Sequence, residues 1–275
     1  MEKDPFDTRT PSPFGGWIQY PPFPLPLGEL HTHTTCEIYC VFRGTGYYVI
    51  EGMQHKLEHG KVFLMRPGEV HRVFITSNEP YDRITCNFRI SDVDAMDPQR
   101  SLLAPFFDRP LGERNVYPHS AVASTHIYDL FARLYADMGS KYATQLNTRI
   151  TLFSILSELK RLFDDQRYFT PDQDCGQIRA VLNYVNGHLT EPLCVDALCQ
   201  QFFMSRSQLN REFKRATGTT VWDYVMSKRL MRAKMHISNG MRAGEAAIAC
   251  GFRDYSAFYR SYLKKYGTPP SFGDR

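Results

Sequence analysis

Four residues in the N-terminal half could hold a cation or a small polar molecule: His31, His33, Glu37 and His71. Imidazole nitrogens and a carboxylate make an N₃O donor set suited to a divalent first-row metal. The same groups also hydrogen-bond the hydroxyls or carboxylates of an organic ligand. His31 and His33 stand two apart, so on a strand they share a face. The C-terminal half offers a different chemistry. Asn210 and Arg211 lie beside an apolar Leu209/Phe213 pair, and Arg260 lies likewise beside Phe258 and Tyr262. An arginine fork matches guanine O6 and N7, so these residues could read base edges.

The elements that position the second group are repeated. Leu209, Arg211, Phe213, Gly218 and Thr219 correspond to Phe258, Arg260, Tyr262, Gly267 and Thr268 at a constant offset of 49 residues. An offset held over so many positions marks an internal duplication. Each copy reads as a helix. Ser205 and Asp254 are N-caps, and Gly218 and Gly267 are C′ glycines. Pro269-Pro270 forbid continuation. Arg211 and Arg260 each follow a buried anchor by two residues, a turn of about 200° away from the core. Shorter apolar helices, Val195–Phe202 and Gly244–Gly251, precede the copies. Short helix, turn and longer basic helix make a helix-turn-helix, so the sequence predicts units at 193–218 and 243–267. A helix over Val221–Ile237 joins them, with Arg229, Arg232 and Lys234 free for phosphate or acidic partners. One rigid joint lets two readers enter major-groove faces about 34 Å apart.

Residues 176–275 resemble the DNA-binding domain of the AraC/XylS family of bacterial transcription regulators. The residues that carry this are SRSQLNREFK, then Arg229-Leu230-Met231-Arg232-Ala233, then GFRDYSAFYRSYLKKYGTPP. The resemblance implies that Ser207, Asn210 and Arg211 face bases in the first unit and Ser256, Tyr259 and Arg260 in the second. Lys214 and Lys264 are the candidates for phosphate contact. Phe203, Cys199 and Ala243 depart from the family pattern at the turns. Double-stranded DNA is the implied partner, with a homodimer and contact with RNA polymerase.

The first group sits among short strands. Glu37–Arg43, Tyr47–Glu51, Lys61–Met65, Val70–Thr76 and Arg83–Ile90 alternate with Gly and Pro turns, which predicts a β-barrel or sandwich. His31, His33, Glu37 and Pro67-Gly68-Glu69-Val70-His71 resemble the cupin pattern. Three readings stay open: a small-molecule pocket without metal, a metal-supported pocket, or polar residues with no ligand role. Arg83 and Thr85 are expected to point inward and add donors for a polyol or carboxylate. Many regulators of this kind have cupin sensor domains, so the resemblance implies a small-molecule effector, a sugar or related metabolite.

The expected organisation is an N-terminal arm at 1–27, a sensor barrel at 28–120, a helical pair at 121–166, a linker at 167–175 and the DNA-binding domain at 176–275. The fold class is thus multidomain α and β. The proline-rich arm is either packed on its own domain or a lid. Residues 93–120 are irregular. The helices 124–139 and 144–166 pack on the β domain and are expected to supply a dimer seam, with Leu156 and Leu159 in it. Residues 176–275 carry 15 Lys/Arg against 7 Asp/Glu, net +8, whereas residues 1–175 carry 18 against 22, net −4. Phosphate binding therefore belongs to the C-terminal part. No apolar run reaches the roughly eighteen residues of a membrane span, and the polar N-terminus lacks a signal-peptide core. Seven cysteines without a CxxC pair fit reduced thiols in the cytoplasm. The expected function is a ligand-responsive activator, not an enzyme. Its rivals are a metal-dependent cupin enzyme and a constitutive DNA-binding protein whose barrel only dimerises.

Overall fold

Short apolar strands, several of them buried on both faces, set up the N-terminal half. A computed structural model of the chain describes residues 10–11, 17–19, 31–76, 81–138, 145–165 and 177–271. The expected linker at 167–175 and most of the arm lie outside the described residues. The strands are β1 (Thr10–Pro11), β2 (Trp17–Gln19), β3 (Cys36–Arg43), β4 (Gly46–Ile50), β5 (Met53–Lys56), β6 (Val62–Met65), β7 (His71–Ile75), β8 (Asp82–Phe88) and β9 (Val116–Tyr117). They form a six-stranded sheet, β1-β2-β8-β3-β6-β9, and a three-stranded sheet, β5-β4-β7. All strand pairs are antiparallel. Of the expected barrel or sandwich, the result is the sandwich, with no closed barrel among the described strands. The four- and five-residue strands β4, β5 and β7 pair with one another and leave the larger sheet open.

Strand β3 is buried on both faces. Cys36, Ile38 and Cys40 join the core beneath the helices, while Tyr39 and Val41 face the smaller sheet with Tyr48, Ile50 and Tyr81. Register pairs Tyr39 with Thr85 and Val41 with Arg83. Cross-strand partners share a face, so Arg83 and Thr85 point into the sandwich, and both are buried.

Short helices α1 (Ile90–Asp94), α2 (Ala104–Phe107) and α3 (His119–Val122) occupy the region expected to be irregular. Their apolar anchors Val93, Phe106 and Val122 are buried in the core that also holds the next two helices. Four- and five-residue helices have no periodicity to read, so packing defines them. Helices α4 (Ile127–Met138) and α5 (Gln145–Asp164) cover the outer face of the large sheet. Leu156 and Leu159 are fully buried in this core, so they are not available for a dimer seam as expected; the exposed apolar residues of α5 are Leu146 and Ile150.

The C-terminal half is helical: α6 (Gln177–Gly187), α7 (Val195–Gln201), α8 (Arg206–Thr217), α9 (Val221–Ser238), α10 (Ala243–Ala249) and α11 (Tyr255–Tyr266). Local signals set the ends of the two readers. The Ser205 side chain accepts from Gln208 N, and Asp254 accepts from Ser256 N and Ala257 N. Gly218 and Gly267 end α8 and α11 at φ 80° and 73°, a left-handed conformation open to glycine at little cost. Phe203 takes φ 51° in the first turn with its ring in solvent. A side chain there strains the backbone without disturbing the core.

Candidate DNA interface and sensor site

On α8, Leu209 and Phe213 are fully buried, and the turn of the helix leaves Ser207, Asn210, Arg211 and Lys214 in solvent. On α11, Phe258 and Tyr262 are buried, and Ser256, Tyr259, Arg260 and Lys264 are exposed. Both faces expected to read bases are therefore open. Arg211 Nε lies 3.3 Å from Glu212 Oε1. Such an exposed pair is screened and holds the guanidinium only weakly. Lys264 also lines a cleft of 760 Å³ with His31, Trp222 and Leu230. A phosphate contact made there would lie against the sensor domain.

Arg229 is not free for phosphate, contrary to the sequence expectation. It is buried, and its Nε and Nη2 donate to Leu189 O (2.6 Å) and Glu191 O (2.7 Å). Its Nη1 donates to Gly251 O at 3.0 Å. The residue thereby staples the joining helix α9 to the segment after α6 and to the turn of the second unit. Arg232 is exposed, and Lys234 Nζ sits 4.5 Å over the Tyr266 ring.

In the sensor domain, His33, Glu37 and His71 converge, with one ligand atom of each within 4.8 Å of the others. His31 stands at the exposed rim, its ring centroid 4.4 Å from that of His71, and outside that group of three. His33 Nδ1 donates to Thr35 O at 2.8 Å, and Nε2 meets Glu37 Oε2 at 2.5 Å. Burial pulls the His33 pKa down, but the hydrogen bond and charge of Glu37 outweigh it, and the net shift is upward. Burial pushes Glu37 up, yet the His33 hydrogen bond and the surrounding imidazoles bring it to about 2. His33 and Glu37 thus form an ion pair. His71 differs. Burial lowers it to about 3, despite Glu37, so the ring is neutral. Its Nδ1 donates to Glu69 O at 2.9 Å, which leaves an Nε2 lone pair 3.7 Å from Glu37 Oε2. That nitrogen is buried and has no hydrogen-bond partner among the described residues.

The polar surface continues along the interior. Tyr48 stacks on Tyr39 with centroids 4.7 Å apart, and its ring lies 6.0 Å from His71. The Arg83 guanidinium lies 5.6 Å from the Tyr39 ring and 5.2 Å from the Tyr81 ring. The hydroxyls of Tyr39 and Thr85 are buried, and no hydrogen-bond partner for them is found among the described residues. Buried polar atoms are nearly always satisfied. A row of them beside the imidazole cluster is what a polar ligand would complete.

Sequence reasoning missed the residues that hold this site. Glu69 and Arg109 are both fully buried and pair through two hydrogen bonds of 2.7 Å. Glu69 also accepts from Arg66 N (2.9 Å) and Gly112 N (3.0 Å). The pair fixes residues 66–71, the loop that delivers His71. Glu69 was visible inside the PGEVH string, but nothing local marked Arg109 as its partner.

Fold and site define a two-part protein, a β-sandwich sensor joined to duplicated helix-turn-helix readers. Residues 23–156 match the AraC-like ligand binding domain, and residues 198–272 match a helix-turn-helix domain. The chain belongs to the AraC-type transcription regulators, with a ligand-binding domain and a helix-turn-helix DNA-binding domain. It is 24% identical over 263 residues to the HTH-type transcriptional activator RhaR of Klebsiella pneumoniae, covering 90% of this chain and 88% of the relative. The RhaR of Pectobacterium carotovorum is also 24% identical, over 253 residues, covering 90% and 86%. Among solved structures, ToxT from Vibrio cholerae aligns over 93% of this chain and 96% of its own at 11% identity, with a TM-score of 0.39. The two RhaR relatives are transcriptional activators. No helix among the described residues is long and apolar enough to cross a membrane.

Proposed function

We propose that the chain is a cytoplasmic transcription activator whose sensor domain binds a small polar molecule, a sugar or related metabolite, between its two sheets. The observation that carries this is the row of buried polar atoms that have no hydrogen-bond partner among the described residues: His71 Nε2, Tyr39 OH and Thr85 Oγ1. With His31, His33, Glu37 and Arg83 they offer donors and acceptors to hydroxyl or carboxylate groups, and Tyr39 and Tyr48 offer ring faces. The proposed organisation keeps the sensor at 28–120, the helical pair at 121–166, the linker at 167–175 and the DNA-binding domain at 176–275. Ser207, Asn210, Arg211, Ser256, Tyr259 and Arg260 read bases, and Lys214 and Lys264 hold phosphates. The ligand acts by preferring one arrangement of the readers over another, without which it could shift nothing. A thermal-shift screen of sugars, polyols and their acids on the full chain tests the pocket. A hit should raise Tm in wild type and not in Thr85→Val or His71→Ala, and should change operator affinity. Binding undiminished in both variants places the ligand elsewhere.

A second reading is favoured by one feature of the same cluster. The His71 lone pair points toward Glu37 with no donor to meet it, as a metal ligand's would. In this reading a divalent ion sits on His33, Glu37 and His71, with His31 as a fourth donor after a small movement of its ring. Protein purified without chelator should then contain about one equivalent of metal, as expected for three or four protein donors. His71→Ala should lose it. Absence of stoichiometric metal leaves the hydrogen-bonding pocket.

The regulator is further proposed to act as a homodimer and to contact RNA polymerase. Leu146 and Ile150 are large, exposed and one helical turn apart on α5, the spacing of an interface stripe. Leu146→Asp together with Ile150→Asp should convert a dimer to monomer in sedimentation experiments without loss of folding. If the double variant sediments as wild type, the dimer uses another surface.

A further inference from the structure

The tip of the β4–β5 hairpin carries a charged residue where a charge is out of place. Ile50 pairs with Met53, so the loop is the two residues Glu51 and Gly52, at φ 50° and 82°. Two-residue hairpins with positive φ at both positions favour Asn, Asp or Gly. Glutamate there costs backbone energy, and its carboxylate is buried as well. Strain at a buried charge points to a role for the side chain.

The partners of Glu51 come from the other half of the chain. Lys228 of α9 donates to Oε1, Tyr224 of α9 donates to Oε2, and Asn186 of α6 donates to Oε2 at 3.1 Å. All three are buried. Val70 N donates to Oε1 at 2.7 Å, and Lys228 also donates to Gly68 O at 2.9 Å. Apolar contact surrounds this core. Val70 packs in the cluster of Val181, Leu182 and Tyr224, and a Cβ on Gly52 would lie 2.3 Å from Leu182 Cδ1. At the rim, Arg72 Nη1 reaches Gly218 O, the C-cap of α8, at 3.5 Å.

We propose that Glu51, held by Lys228, Tyr224 and Asn186, is an interdomain latch that docks the sensor sandwich on helices α6 and α9, beside the first helix-turn-helix unit. The proposal rests on the reading of the chain as a DNA-binding regulator with a sensor domain, and names the contact through which one half acts on the other. The latch shares residues 66–71 with the sensor site. Gly68 and Val70 bond to the latch, and His71 belongs to the site. A change at His71 therefore reaches Lys228 and the start of α9 through three residues of backbone. The base-facing residues of both readers stay exposed in the docked state, so the latch sets where the readers are held rather than covering them. Among the described residues the second unit has no hydrogen bond to Glu51, and it follows through α9.

Removing Lys228 from the docked joint strands the Glu51 carboxylate without its partner charge. Lys228→Met keeps the aliphatic stem and removes the partner charge, and Glu51→Gln removes the other. The test uses the full chain and compares wild type, each single variant and Glu51→Gln/Lys228→Met, with Tyr224→Phe as a milder variant should the others fold poorly. Small-angle scattering reads docking, and titration of operator DNA reads the functional consequence. Lys228→Met should enlarge the radius of gyration with unchanged helix content. Its operator affinity should shift by about 5-fold or more, the range of a coupling between sites. The double variant, with no orphan charge, should lie closer to wild type than Lys228→Met does. Scattering and operator affinity at wild-type values in Lys228→Met, or in Tyr224→Phe if that variant must stand in, would overturn the latch. If the full chain binds no DNA, the regulator reading fails, and scattering alone still decides whether the latch docks the halves.

Discussion

Replacing Arg109 with methionine is expected to cost the sensor domain about 3–5 kcal/mol, because it leaves Glu69 charged and unpaired in the core. Arg109 donates twice to Glu69, and Nε and Nη2 also donate to Pro105 O (2.9 Å) and Leu64 O (3.1 Å). These bonds tie the segment around α2 to strand β6 and to the loop before His71. The buried pair need not add much net stability, since desolvation of both ions offsets their attraction. Its removal in halves is what costs. Glu69→Gln/Arg109→Met should therefore be less destabilised than Arg109→Met alone, and with Glu69→Gln alone added the cycle gives the coupling between them. Urea unfolding followed by circular dichroism measures both. A cost below about 1 kcal/mol for Arg109→Met, the level of an ordinary surface pair, would show that the guanidinium does not hold this loop. Ligand or metal binding at His71 should fall in the same variant, because the Glu69 carbonyl sets the His71 tautomer.

Arg211→Ala is expected to cost about 1–3 kcal/mol of operator binding and to relax preference at one or two base pairs. The geometry favours Arg211 as a base reader. The residue stands in solvent on the face of α8 opposite Leu209 and Phe213, and its pairing with Glu212 is too exposed to hold it back. Lys214 lies one turn on toward the C-terminus and should behave differently. Lys214→Ala should weaken operator and scrambled DNA alike and flatten the salt dependence by about one unit. The two variants, titrated on both DNAs at two salt concentrations, separate the roles. Equal loss on operator and scrambled DNA for Arg211→Ala would make that residue a phosphate clamp and move the reading face elsewhere on α8.

The readers were legible in the sequence because their signals are local. Ser205, Asp254, Gly218 and Gly267 act within one turn of themselves, and Leu209/Phe213 and Phe258/Tyr262 declare a buried face by spacing alone. Strand alternation likewise put Arg83 and Thr85 on one face, and two short strings named His31, His33, Glu37 and His71, of which the last three converge. What the sequence left open was which surfaces meet. Lys228 lies 177 residues from Glu51, and Arg109 lies 40 from Glu69. A buried ion pair looks, in the chain, like two solvated charges. Arg229 was mistaken for a surface cation for that reason, and Leu156 and Leu159 for a seam, because a wide apolar stripe does not say which side packs at home. Helix caps and periodicity are set by neighbours within a few residues, so the sequence by itself determined the two readers and the strand faces. Burial of charge depends on desolvation by distant segments, so only the tertiary structure decided the Glu51 latch, the Glu69–Arg109 pair and the neutral His71 whose Nε2 meets no donor among the described residues.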